Sequence, residues 1–332
     1  MIPISQGTIS PLQPFDFGKS CSIYARFEVW THTAFVDGVL YKAFETEGAP
    51  HLLEVFETEE GEGGEEEVME EVAEEAVEEG RIEARLYRQG PSEPGPILDP
   101  GVDRPTGMAS SWPAAASLAA WILSSDLDLQ PLYQVDDPVF APLAERFCGL
   151  KPPRTATVFE GLVIAIIEQQ IGLRVANLLQ NRLVSRFGPP FKFGDLEFSA
   201  FPSPDRLAGL DPQDLRDLGL SMNKSRFILG IADGVASGDQ DFELLKRMTT
   251  DEAREVLVSI KGVGRWTADY VLVRGLGRFE AVPFDDLGIR DAVGLFYKGG
   301  ERASAREAEG ILSRFGELAG VAAYYLLFAR FR

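Results

Sequence analysis

Apolar residues along this chain change their spacing near residue 110. Before that point they fall into short alternating runs rich in β-branched and aromatic side chains, the period of a half-buried strand. Residues 22–30, 34–44, 51–56 and 81–88 each read as strand, and Asp37-Gly38 supplies a tight hairpin turn. Phe27 and Trp30 fall into the core of that sheet. After residue 110, apolar positions return every three to four residues, the period of helices packed on a core. Helices are predicted over 114–124, 138–147, 158–170, 173–187, 226–236, 251–260, 265–274, 287–296, 303–315 and 320–331. Thr249-Thr250-Asp251-Glu252 has the form of a capped helix start. The fold class is therefore α+β. A small antiparallel β-sheet domain over 1–110 leads through a Pro/Gly-rich linker at 90–108 into an all-α domain over 111–332.

Composition narrows the chemistry. The 332 residues are 45% hydrophobic, enough for two cores, and contain no apolar run of membrane-spanning length. Met1-Ile2-Pro3-Ile4-Ser5 lacks the basic-then-apolar pattern of a secretion signal, so a cytoplasmic location is expected. Two isolated cysteines, Cys21 and Cys148, form neither a disulfide framework nor a four-cysteine iron–sulfur site and read as buried or half-buried thiols. The only histidines are His32 and His51. Acid–base work in the helical half must rest on carboxylates, lysines, hydroxyls or backbone.

The net charge of −20 argues against a polyanionic partner, but it is unevenly placed. Residues 45–79 carry 16 glutamates and no lysine or arginine; without them 36 acidic side chains face 32 basic ones. The insertion at about 57–80 begins as low-complexity sequence. It continues as a short amphipathic acidic helix with Val68, Val72 and Ala76 at four-residue spacing. Its simplest reading is a solvated decoration; a partner-binding or charge-mimicking role is the other.

The most informative stretch is 257–270, where an amphipathic helix runs into Gly262-Val263-Gly264 and a second helix begins at once with Arg265-Trp266-Thr267-Ala268. Two glycines permit a tight turn, and amides at the following helix start favour a phosphate. A second Gly/Pro-rich stretch, Gly275 to Pro283, ends in Phe284-Asp285-Asp286 just before a helix. A packing turn between helices explains the first feature on its own, and ordinary helix capping explains the second.

Together the two features resemble the hairpin and catalytic-aspartate loop of the helix-hairpin-helix (HhH-GPD) DNA glycosylase superfamily. The resemblance covers roughly 110–332 at the level of fold and is specific over these motifs and Ala165 to Gly172. It implies Asp286 as the catalytic carboxylate with Asp285 its neighbour. Gly262, Val263, Gly264 and Arg265 would lie on the DNA backbone, and a monovalent cation near Gly262 is possible. Gln169 and Gln170 match a turn whose side chains fill the space a flipped base leaves. Where members that also cleave the backbone carry a lysine, this chain has Trp266, which cannot form a Schiff base. That places the chain nearest the monofunctional, 3-methyladenine glycosylase II-like branch. Trp266 and Tyr270, four residues apart, would wall a pocket for a cationic base, with Leu287 beside the carboxylate. No cofactor is implied, and the implied partner of a nucleoid-associated monomer, with no membrane, is double-stranded DNA containing damaged bases. Relatives often carry a further tryptophan in the last helices, where this chain has Leu318, Gly320, Tyr324 and Tyr325. Two rival readings are a bifunctional oxidised-purine glycosylase/lyase using Lys261 and a non-catalytic DNA-binding scaffold.

Overall fold

The computed structural model describes residues 1–25, 31–46, 48–58, 81–89 and 114–330. Phe27, Trp30, the acidic insertion helix and the linker at 90–108 lie outside the described residues. Strands β1 (Ser5–Ile9), β2 (Thr33–Val36), β3 (Val39–Thr46), β4 (Ala49–Thr58) and β5 (Arg81–Arg88) form one antiparallel sheet in the order β1-β5-β4-β3-β2. Asp37 and Gly38 both take positive φ, as a two-residue hairpin between β2 and β3 requires.

Two parts of the sequence reading change. Residues 22–25 belong to helix α1 (Phe17–Ala25), not to a strand. That helix starts where the Asp16 side chain accepts the Lys19 amide, and it buries Phe17, Ser20 and Cys21, a helical period that opens ahead of the β-branched residues. Edge strand β1 carried no signal because only Ile9 of its five residues is buried. Cys148 also differs from expectation: it is exposed, while Cys21 is buried.

The helical half comprises α2 (Ala115–Ile122), α3 (Gln130–Tyr133), α4 (Ala141–Arg146), α5 (Val158–Glu168), α6 (Leu173–Phe187), α7 (Pro204–Leu207), α8 (Pro212–Arg216), α9 (Met222–Ala236), α10 (Thr250–Ser259), α11 (Arg265–Leu276), α12 (Leu287–Tyr297), α13 (Ala305–Leu312) and α14 (Ala319–Arg330). It is not purely helical. A hairpin of β6 (Pro190–Phe193) and β7 (Leu196–Ser199) lays Phe191 and Phe198 on the sheet against Ala43, Leu52 and Tyr87. The opposite face of the sheet packs on α1 and α2 through Leu40, Leu53, Val55, Phe17 and Leu118. The sheet is thus covered on both sides, and the domains share cores.

Helix α5 is buried at every position from Val158 to Ile167. It crosses α11 at Gly161 and Gly275, where a Cβ on Gly161 would stand 3.5 Å from the Gly275 Cα. A second core gathers α12, α13 and α14 around Phe140, Phe315 and the fully buried Tyr325. The stretch Ala305–Arg330 is long and apolar enough to cross a membrane. It is broken at Gly316 (φ 55°, ψ −128°), and its apolar residues serve this core.

A buried ionic cluster joins the sheet to α5. The Lys42 ammonium pairs with the Glu160 carboxylate, whose other oxygen accepts the Ala156 amide at 3.1 Å. His32 Nε2 stands 3.7 Å from the same carboxylate. Burial, reinforced by the Lys42 charge, holds the His32 imidazole well below its ordinary pKa, so that contact is not an ion pair. Breaking such a pair leaves an uncompensated buried charge. Lys42→Met is expected to cost about 3–5 kcal/mol in denaturant unfolding, and Lys42→Met/Glu160→Leu considerably less. A double variant as unstable as the single one would show that the carboxylate is not the cause.

Candidate active site

Helix α10 begins with a reciprocal capping box between Thr249 and Glu252, and it leads into the turn at Gly262. Gly262 takes φ +91°, and a Cβ there would stand 2.3 Å from the Phe227 ring, so no other residue fits. Gly264 then caps α11 with no side-chain hydrogen bond, leaving the first amides of a twelve-residue helix uncapped. Val263 is buried as the turn's anchor, while Arg265 is exposed. The hairpin is closed by Asp269, which accepts Arg254 Nε on one oxygen and Arg265 Nε on the other, each at 2.8 Å.

The end of α5 reaches this turn. Gln169 Nε2 donates to the Gly262 carbonyl and to Thr267 Oγ1, both at 2.9 Å. Lys224 Nζ donates to the carbonyls of Ile167 (2.8 Å) and Gln169 (2.6 Å), capping the helix end with a cation. The structure therefore separates the two glutamines paired by the sequence reading. Gln169 is tied inward to the hairpin, whereas Gln170 is exposed and held at φ +57°, uncommon for a residue with a side chain.

Asp286 sits at the start of α12, across from α11. Its Oδ1 accepts the Ile289 amide at 2.9 Å, which is the capping bond. Its Oδ2 accepts the Trp266 indole N–H, also at 2.9 Å. Capping explains the first bond and leaves the second unaccounted for. Asp285 is exposed and makes neither contact. Leu287 is 57% exposed at the rim beside Asp286. The Trp266 and Tyr270 rings lie 5.6 Å apart at 37°, forming one aromatic wall.

The wall continues inward in a way the sequence reading missed. Arg274 is the next residue on the stripe of α11 that carries Trp266 and Tyr270. Opposite it, Glu168 Oε1 accepts from the Tyr270 hydroxyl (3.3 Å) and from Gln180 Nε2 (3.2 Å). Arg274, Glu168, Gln180 and Tyr270 line one cavity of about 50 Å³, whose far end is formed by Lys42, His32 and Glu160. Burial pushes the Glu168 carboxyl up to about 7, with Asp286 adding to the rise and Arg274 and the two hydrogen bonds opposing it. A glutamate near the end of the otherwise apolar α5, and an arginine at a further four-residue step from Tyr270, were the available signals.

No group of three or more His, Cys, Asp or Glu suited to a metal occurs among the described residues. The Gly262 carbonyl, where a monovalent cation would bind, already accepts Gln169 and would have to be shared.

A model of the HhH-GPD superfamily base excision DNA repair protein matches residues 163–317, which hold the hairpin, α5's end and Asp286. A DNA-3-methyladenine glycosylase of Bacillus subtilis is 34% identical over 203 residues, 60% of this chain and 67% of the relative. The chain belongs to the HhH-GPD superfamily. DNA-3-methyladenine glycosylase 2 of Escherichia coli is 30% identical over 164 residues, 49% of this chain, which spans 56% of that relative. The likeness to a solved structure extends to the N-terminal sheet as well: the 3-methyladenine DNA-glycosylase from Archaeoglobus fulgidus superposes with a TM-score of 0.74 at 26% identity, covering 98% of both chains.

The raised Glu168 carboxyl has a consequence for stability. Between the ordinary carboxyl range and about pH 7 the folded chain keeps a proton on Glu168 that the unfolded chain has released, so stability falls as pH rises through that window. The melting temperature of the wild type is expected to drop relative to Glu168→Gln between about pH 5 and pH 7.5. Parallel curves for the two proteins would refute the buried, protonated carboxyl.

Proposed function

We propose that this chain is a monofunctional DNA glycosylase of base excision repair that hydrolyses the N-glycosidic bond of flipped-out alkylated purines. The observation that carries this reading is the hydrogen bond from the Trp266 indole to the Asp286 carboxylate. It joins a base-stacking surface to an acceptor that cannot leave its place, because its other oxygen caps α12. The similarity to 3-methyladenine glycosylases supports the same reading.

In this reading the uncapped amides at Gly264 and Arg265 bind a backbone phosphate of the duplex, with Arg265 adding charge. Gln170 enters the space the base leaves, and its exposed, constrained backbone points it away from the helix core. The extruded nucleotide places its base on Trp266 and Tyr270 and its sugar beside Asp286. An alkylated purine already carries positive charge, so the C1′–N bond breaks with the electron pair going to the base and no proton donor is required. The Asp286 carboxylate stabilises the oxocarbenium-like sugar, and water adds at C1′ and gives its proton to that carboxylate. The indole bond fixes the carboxylate before the charge develops, which is how a preorganised site lowers a barrier. A lyase step would need an amine at this place, and Trp266 supplies none.

The test is base release from duplexes carrying 3-methyladenine, 7-methylguanine, hypoxanthine or 8-oxoguanine. Alkylated bases are expected to leave, with single-turnover rates falling about 100-fold or more in Asp286→Asn while affinity for an abasic duplex is kept. Trp266→Phe keeps the ring and loses the indole bond; a loss of about tenfold is expected. Borohydride is expected to trap no covalent adduct. No release from any duplex, or an adduct lost in Lys261→Ala, would overturn the proposal.

A further inference from the structure

Beneath the aromatic wall, an arginine and a glutamate face one cavity without meeting. Glu168 uses a single carboxylate oxygen, Oε1, for Tyr270 and Gln180; Oε2 accepts no hydrogen bond among the described residues. Arg274 forms no ion pair with a described carboxylate, and its Nε is buried without a hydrogen bond. A guanidinium and a carboxylate free to move together would close into a bidentate pair. Here each is held back. Glu168 is fixed by Tyr270 and Gln180 at the end of α5, which Lys224 and Gln169 tie down. Arg274 is fixed by its place on α11 two turns beyond Trp266. An unpaired polar group in such surroundings is costly, so the arrangement is one that a ligand completes.

We propose that Arg274 and Glu168 read the hydrogen-bonding edge of the flipped base, Arg274 donating to a ring nitrogen or carbonyl acceptor and Glu168 Oε2 accepting from the adjacent N–H. This rests on the glycosylase reading above and goes beyond it by assigning specificity determinants. The ligand class is a purine whose edge has one acceptor beside one donor. The edge enters between Arg274 and Glu168, leaving the rings on Trp266 and Tyr270. The other charged groups lining the cavity have partners of their own: Arg154 Nη1 donates to Asp126 at 2.8 Å. Lys42 and Glu160 are paired with each other at the far end, and Asp286 is occupied by Ile289 and Trp266. Glu168 and Arg274 are thus specificity residues, distinct from the Asp286 chemistry.

The experiment uses the full chain with an abasic duplex and two free bases as probes: 3-methyladenine, and 3-methylpurine, which lacks the exocyclic amino donor. Binding is followed by tryptophan fluorescence. The wild type is expected to bind 3-methyladenine at least about tenfold more tightly than 3-methylpurine. Glu168→Leu is expected to narrow that gap to about twofold or less, with affinity for the abasic duplex retained. Glu168→Gln, which keeps a neutral acceptor, should fall between them and serves if the leucine variant does not fold. A wild-type gap below about twofold, or equal weakening of both bases in the variants, would overturn the assignment. Base release by the wild type separates the two proposals. If alkylated bases are released but the two free bases bind alike, only the edge-reading assignment fails.

Discussion

The site depends on one helix being buried along its whole length. α5 has no solvent face from Val158 to Ile167, and it crosses α11 through the glycine contact at Gly161 and Gly275. A helix enclosed in this way has no freedom to slide or rotate without opening its core. Its final residues are therefore placed as firmly as its middle ones. Glu168, Gln169 and Gln170 leave that end in succession and are held in three environments: a buried cavity, the carbonyl side of the hairpin and the surface. Lys224 holds the end itself by taking two of its last carbonyls. The N-terminal sheet contributes to the same constraint through Lys42 and Glu160, which dock it on the opposite end of α5.

The carboxylate proposed for the chemistry is positioned by a second use of local structure. Helix capping makes an aspartate at the start of α12 unremarkable, and one oxygen of Asp286 does only that. The cap leaves the other oxygen pointing across to α11, where the Trp266 indole meets it. A single residue thus ends a loop, starts a helix and presents an acceptor. The price is exposure of its neighbours: Asp285 and Leu287 lie open on either side.

How much of this was legible in the sequence differs by the range of the interaction. The hairpin was readable because a Gly-x-Gly turn between helices, with its positive φ at Gly262, is a local matter. The helices were readable from their period and strands β3, β4 and β5 from their alternation, whereas the pairing of β4 between β3 and β5 is seen only in the fold. Residues 22–25 were misread because β-branched content was weighed without the helix start at Asp16, which lies before them. The β6–β7 hairpin was missed because Phe191 and Phe198 find their partners Ala43, Leu52 and Tyr87 on a sheet far earlier in the chain. The same holds for the site. Asp286 and Trp266 came from motifs, whereas Glu168, Gln180 and Arg274 become a group only when α5, α6 and α11 are brought together. Nothing in their sequence spacing joins them, and even the two neighbouring glutamines needed the fold to be told apart.

The strongly acidic composition looked like the main objection to a nucleic-acid partner, and the geometry answers it. The groups that would meet a duplex are mostly uncharged: helix amides after Gly264, the Gln170 amide and the turn at Gly262, with Arg265 as the nearby cation. Backbone amides at a helix start bind phosphate through aligned dipoles, so the grip does not scale with the count of lysines and arginines. Arg265 itself is anchored at its Nε by Asp269, which fixes the side chain's root while leaving most of it exposed. Net charge is a property of the whole surface, whereas recognition at one or two phosphates is a property of a few oriented donors. A chain of net charge −20 can therefore carry a phosphate-binding hairpin, its densest run of glutamates falling at residues 45–79 of the sequence rather than within 257–270.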